Sequence, residues 1–373
     1  MGHNLARLRG AGYSQEVLDS LGHARAVSTN QVYDSKWKLF AGFCEKRGIP
    51  PEDAGPPLVA DFLLFLFRDR HCSARTVASY RSALGNVLRF TSSYDPANDK
   101  IISQLIKGFK RQRPPTVSKV PHWDLGIVLR HFARPENANG YLDLHSLTAK
   151  AVFLLSLATA GRCQALAALE DDLSVVREFP LVIQIPFVAG FLPKQFFLLK
   201  NPKPPAPVEL SELPGLNSVG ICPVRTLLAY RSRVAPRRLP SQSSLFIPHA
   251  VGKTGRLHPS AVGRYIVKSI LQAYDAEGLK HPSSVKAHDV RGVATSLRAL
   301  TGVSLVDVVS AGGWSQPNTF VNFYLKQFTK GQLSSLAHLP DFCAAGGTIK
   351  PCSLLQERGK LQEKAVRKRS KQG

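Results

Sequence analysis

Lys286-Ala-His288-Asp-Val-Arg291-Gly-Val293 and, further along, Gly312-Gly-Trp314-Ser-Gln-Pro-Asn-Thr-Phe-Val-Asn-Phe-Tyr324-Leu-Lys326 put an imidazole, a guanidinium, an indole and a phenol into one stretch of chain. A phosphate suits that company. Arginine presents a planar fork that matches a phosphate bidentately, histidine moves a proton near neutral pH, and tyrosine carries a hydroxyl able to form a covalent ester. The set lacks the paired carboxylates that hold metal ions, which argues for metal-free transesterification over two-metal hydrolysis. The bland alternative makes Arg291 a solvated helix charge, Trp314 a core aromatic and Tyr324 an amphipathic side chain. It explains each residue singly but not their company.

Outward from this stretch, 373 residues are enough for two domains, and 44% hydrophobic content is enough to bury a core in each. Lys and Arg outnumber acids 49 to 26, a formal net charge of +23, so the expected partner is a polyanion, with nucleic acid first. The excess is spread along the chain rather than gathered on one amphipathic helix, which disfavours a membrane-surface binder. The longest apolar runs, 58–67 and 152–160, are about half of what a bilayer crossing needs, and the first contains Asp61. The N-terminus has no charged-then-apolar signal, and Ala6 stands where a myristoylation site wants Ser or Thr, so an intracellular protein is expected. Cys44, Cys72, Cys163, Cys222, Cys343 and Cys352 are scattered without a C-x-x-C, which suggests neither a zinc site nor a disulfide framework. Gly252-Lys-Thr-Gly255 is not a nucleotide loop, because Ile247 occupies the position of the required first glycine.

Along the chain, 1–25 reads as a flexible N-terminal segment with one short helix from Ser14 to Leu21. From Ser28 the spacing of Tyr33, Trp37, Phe40 and Phe43 predicts a buried helix face. An apolar helix over 58–67, a Ser73-capped helix carrying Val77, Leu84 and Leu88, and a helix over 99–109 complete a helical domain, 26–112. A basic, Pro-containing linker at 113–121 follows, then a second domain at 122–330 with an apolar helix over 147–157 that ends at Gly161. Arg162 starts the next helix, where unpaired amides and the helix dipole add to its charge. Leu181–Ile185 and Ala206–Leu210 predict a β-hairpin, 223–230 a Pro-started helix before a basic loop at 231–238, 259–274 another helix, and a helix starting near Asn318 carries Tyr324. A terminal segment, 331–373, ends in a basic run that reads equally as a nuclear address, extra DNA grip or a solvated tail.

The order and spacing of His288-Asp-Val-Arg291, Trp314 and Tyr324, with Arg162 upstream, resemble the tyrosine recombinase (phage integrase) family. Its signature is His-x-x-Arg, then His or Trp, then a nucleophilic Tyr. Phe191-Leu-Pro-Lys194 looks most like the recombinases of eukaryotic DIRS-type mobile elements. The resemblance implies a mainly α (α+β) chain: a helical core-binding domain, then an integrase-like catalytic domain, mostly helical with a small antiparallel sheet. It implies catalytic roles for Arg162, Lys194, His288, Arg291, Trp314 and Tyr324, with Lys200 and Lys203 as alternatives to Lys194. The DNA-gripping candidates are Lys107, Lys110, Arg111 and Arg113 at the basic exit of the first domain and Arg75 and Arg81 on its third helix. The implied partner is double-stranded DNA, bound in the nucleus by four copies of the chain on two sites that the segment 331–373 assembles, with neither cofactor nor metal. The sequence departs from the family at Ala165, where an Asp or Glu usually orients the first arginine. Two further expectations stand beside the recombinase: a recombinase-derived DNA-binding protein without catalysis, and a type IB topoisomerase-like enzyme.

Overall fold

The computed structural model of the chain describes residues 8–23, 27–92, 94–114, 119–194, 196, 204–249, 255–314 and 316–337. The linker residues 115–118, Lys200 and Lys203, most of the 252–255 turn and the segment 338–373 with its basic run lie outside the described residues. The chain forms two compact units, 1–117 and 118–373.

The first unit contains α1 (Gln15–His23), α2 (Val27–Glu45), α3 (Pro56–Arg68), α4 (Ala74–Thr91) and α5 (Lys100–Gln112). Their starts follow from local chemistry. Proline opens α3, where its missing N–H is no loss. Ser73 accepts the Thr76 N–H at the head of α4, and Asp99 accepts those of Ile101 and Ile102 at the head of α5; each such cap contributes about 1 kcal/mol. Phe40, Phe62, Leu63, Leu66, Val77, Leu84, Leu88, Ile102, Ile106 and Phe109 fill the core. Phe62 meets Phe40 and Phe43 edge-on at 5.0 and 5.1 Å, the orientation favoured by the ring quadrupole. Within the first 25 residues, α1 buries Leu18.

The second unit is built around α7 (Leu144–Thr159), in which every residue from Leu147 to Leu157 is buried. A helix buried around its whole circumference is enclosed by its neighbours. It is packed by α9 (Pro223–Val234), α10 (Pro259–Ala276) and α11 (Ala287–Leu300), with α6 (Leu125–Ala133) lying on α10. The predicted hairpin is present as β2 (Val182–Ile185) and β3 (Val208–Ser211), antiparallel with Ile183 opposite Leu210. A further strand, β1 (Ser174–Arg177), extends the sheet to the order β1-β2-β3. All of β1 is exposed, so it has no alternating pattern to announce it.

The helix expected after Arg162 is present as α8 (Cys163–Ala167), 5 residues long. Two local expectations are corrected. The basic stretch 231–238 is not a free loop: α9 runs to Val234, and Arg231 and Arg238 both pair with Asp171, at 2.5 and 3.2 Å. After α12 (Leu305–Ala311), the tyrosine sits at the end of α13 (Pro317–Thr319) and a wider π-type turn, Phe320–Tyr324, rather than on a regular helix. Beyond it, α14 (Lys330–Ala337) lies in the stretch assigned to assembly. It packs on α6 of its own unit, with Leu336 in the core and the Ser335 hydroxyl donating to Asp124 at 2.7 Å.

Candidate active site

α7 ends at Ala160, whose φ of 50° and ψ of 27° are left-handed, a region that non-glycine residues seldom occupy. The next residue, Gly161, donates its N–H to Thr159 Oγ1 at 3.0 Å. This turn aims the Ala160 carbonyl at Arg291 Nη1, 2.7 Å away, and delivers Arg162 two residues later. Arg162 is half-buried; burial lowers its pKa, and Tyr324 in its ionised form would oppose that shift. Because α8 is so short, little dipole assists this arginine, and its own charge does most of the anion attraction.

His288 and Arg291 stand in the first turn of α11. Arg291 is only 3% exposed. Main-chain carbonyls and aromatic rings surround it: Nη1 donates to Ala160, Nη2 to Gly312, and the guanidinium lies 4.5 Å from the Trp314 ring and 5.6 Å from the Tyr324 ring. Burial, then the neighbouring Arg162, pushes its pKa down to about 10, and Tyr324 pulls the other way. A cation held in that state gains from any anion that reaches it.

The Tyr324 hydroxyl is 2.8 Å from His288 Nε2, with the rings edge-on at 5.1 Å. Part of His288 meets solvent, yet its pKa is lowered, first by desolvation and then by the Arg291 and Arg162 guanidiniums; Asp289 opposes this and Lys326 adds to it. At neutral pH the ring is therefore uncharged, and the phenol O–H donates to the Nε2 lone pair. Base and hydroxyl are already in proton-transfer geometry.

Trp314 is 8% exposed and packs with Val308, Val309 and Phe320. Its ring is 4.6 Å from that of Tyr324. The indole folds back over Gly312, where any Cβ would strike it. Its Nε1 is buried without a hydrogen-bond partner among the described residues.

Sequence reasoning missed the side chains that hold this group together. Asp289, Gly292 and Ser296 recur at three- and four-residue spacing and so share a face of α11. The backbone after Tyr324 lies on that face: the Lys326 N–H donates to Ser296 Oγ at 2.8 Å and Lys326 Nζ pairs with Asp289 at 3.5 Å. A Cβ at Gly292 would stand 3.0 Å from the Tyr324 carbonyl. The spacing was a usable signal. The ammonium of Lys119, which donates to the Val321 and Asn322 carbonyls at 3.0 and 2.9 Å, had none.

The structure thus brings Arg162, His288, Arg291, Trp314 and Tyr324 together. Lys194 is exposed beyond β2 and makes none of the contacts that join them. Ala165 is half-buried on α8. In the first unit, Lys107, Lys110 and Arg111 are exposed on α5, away from its buried face of Ile102, Ile106 and Phe109, and Arg75 is exposed on α4. Arg113 and Arg81 are engaged within the fold. Arg113 lies 3.4 Å from the Phe67 ring and donates to the Phe67 carbonyl, and Arg81 donates to Ser103 Oγ at 3.1 Å. Among the described residues no group of His, Cys, Asp or Glu is arranged to hold a metal ion, and no helix is long and apolar enough to cross a membrane.

No family model matches the chain, and no curated protein sequence matches it. Solved structures are similar in fold. The Tn1549 transposon integrase in complex with transposon right end DNA superimposes with a TM-score of 0.51 at 13% identity, covering 86% of this chain and 95% of that one. The same integrase with circular intermediate DNA gives 0.51 at 13% identity, over 84% and 94%. A lambda integrase dimer bound to a COC' core site gives 0.49 at 15% identity, over 87% and 95%. The chain is mostly helical with a small antiparallel sheet, and its fold is similar to that of the Tn1549 transposon integrase.

Proposed function

We propose that this protein is a tyrosine recombinase, a site-specific enzyme that cleaves and rejoins double-stranded DNA through a 3′-phosphotyrosine at Tyr324. The observation that carries this reading is the 2.8 Å approach of the Tyr324 hydroxyl to His288 Nε2 within the field of Arg162 and Arg291. Tyr324 attacks a phosphodiester as His288 takes its proton. Arg162 and Arg291 neutralise the non-bridging oxygens at pentacoordinate phosphorus, each contributing roughly 3 kcal/mol by analogy with oxyanion donors. Lys194, or Lys200 or Lys203 in the same loop, protonates the leaving 5′-oxygen. Trp314 donates its indole N–H and excludes water from the phosphotyrosine. A 5′-hydroxyl of the partner strand then reverses the chemistry. One ester replaces another, so the bond energy is retained in the protein linkage.

The DNA partner is supported by the net charge of +23 and by the exposed α5 row of Lys107, Lys110 and Arg111. In this reading residues 26–112 grip one face of the duplex, 113–121 cross it and 122–330 carry the chemistry. The segment after Tyr324 joins four chains on two DNA sites. The Phe191-Leu-Pro-Lys194 resemblance suggests a mobile element of the DIRS kind acting in a nucleus. A nicked suicide duplex, which traps the covalent complex, tests the whole scheme in one gel. Wild-type protein should form an adduct that Tyr324→Phe abolishes while still binding DNA, and an adduct surviving in that variant removes Tyr324 from the mechanism. Ala165 favours one second reading, a recombinase-derived DNA-binding protein; that protein would bind the duplex and trap nothing.

A further inference from the structure

Resting on the recombinase reading, we propose that Lys119 is a positioning residue for the nucleophile: it straps the turn that carries Tyr324 against the catalytic unit. The turn Phe320–Tyr324 closes with the Leu325 N–H on the Phe320 carbonyl at 2.8 Å, and the carbonyls that follow find no continuing helix. Lys119 Nζ meets two of them, Val321 at 3.0 Å and Asn322 at 2.9 Å. A cation at the carbonyl end of a helical turn is the favourable arrangement, because the last carbonyls are otherwise unpaired and partially negative. The main chain of the same residue grips the other side of the tyrosine: its carbonyl accepts the Gln327 N–H at 2.9 Å. One residue therefore holds the backbone both before and after Tyr324.

The opposite flank is held by α11 through Ser296 and the Lys326–Asp289 pair. Those contacts fix Tyr324 along α11 but leave the carbonyls of Val321 and Asn322 to Lys119. Without the ammonium, the turn is free to rotate its phenol away from His288 Nε2 while staying docked at Lys326. A misplacement of about 1 Å at the reacting atom suffices for a loss on the order of 100-fold.

The test uses the full chain as wild type, Lys119→Met and Lys119→Arg. Adduct formation on a nicked duplex is followed at saturating DNA, alongside affinity across a salt series and hydrogen exchange at the amides of Leu325 and Gln327. Lys119→Met should slow adduct formation about 10- to 100-fold at saturation. Affinity should change less than about 3-fold, with an unaltered salt slope. Exchange at Leu325 and Gln327 should quicken, and Lys119→Arg, which can reach both carbonyls, should recover most of the rate. An unchanged rate with unchanged exchange overturns the proposal. So does weaker binding with a salt slope reduced by about 1 and a normal saturating rate, which identifies Lys119 as a phosphate contact instead. If wild-type protein forms no adduct, the recombinase reading fails and the catalytic role of Lys119 falls with it, whereas exchange still reports whether the strap itself exists.

Discussion

Trp314→Phe separates packing from chemistry at one position. The indole is 8% exposed, lies against Arg291 at 4.5 Å and Tyr324 at 4.6 Å, and keeps a buried Nε1 donor with no partner among the described residues. An unpaired buried donor costs about 1–3 kcal/mol, and phenylalanine removes it. Against that, the smaller ring gives up about 40 Å² of apolar contact, about 1 kcal/mol, and weakens the stacking on Arg291 by about 0.5–1 kcal/mol. The opposing contributions nearly cancel, so the urea midpoint should move by no more than about 1 kcal/mol equivalent. The rate behaves differently if that donor finds a phosphate oxygen as charge develops there. Losing one such contact costs about 2.7–4 kcal/mol of transition-state stabilisation, a slowing of about 10²- to 10³-fold. Single-turnover adduct formation and urea unfolding on the same samples decide it. A rate within about 3-fold of wild type, or a stability loss above about 3 kcal/mol that accounts for the slowing, refutes this role for the indole.

Because the His288 pKa lies below its ordinary value of about 6.5, adduct formation should be flat between pH 7 and 8 and fall only below about 6.5; a limb centred higher would mean another group is the base. Burial also lowers the pKa values of His131, His145 and His249. The unfolded chain then holds protons that the folded one refuses, so stability should fall as pH drops below about 6.5, read as a lower urea midpoint at pH 5.5 than at 7.5. Ala165→Glu puts a carboxylate three residues from Arg162 on α8 and should raise the cleavage rate about 2- to 5-fold; no change means that another residue already braces the arginine. Ending the chain before Lys330 removes Leu336 from the core and should cost about 2–5 kcal/mol, visible in thermal melts, whereas ending it after Ala337 keeps Leu336 and tests any assembly role of 338–373 separately.

How much of this was legible in the sequence depends on who supplies each contact. The catalytic group could be read because its members are chemically distinctive and lie at helical starts and turns: His288 and Arg291 share the first turn of α11, and Arg162 follows a Gly turn. Apolar periodicity marked the helices of both units for the same reason, since a buried stripe must repeat with the helix. The bonds by which cations brace the site were illegible because main-chain carbonyls receive them. Arg291 donates to Ala160 and Gly312, and Lys119 to Val321 and Asn322 across 202 and 203 residues. A carbonyl is present at every position, so such a bond leaves no residue type to search for. The same ambiguity inflated the basic surface. Arg113 stacked on Phe67 and a phosphate-gripping arginine are the same letter, and only packing tells them apart. It follows that not every arginine of the first unit is presented to a phosphate. Lys107, Lys110 and Arg111 remain outward on α5 because Ile102, Ile106 and Phe109 commit the opposite face to the core. Neutralising those three should flatten the salt dependence of DNA binding by about 3 in slope if each meets a phosphate. Arg113→Ala should instead lower stability, because it removes the guanidinium that covers Phe67, and should leave that slope nearly untouched.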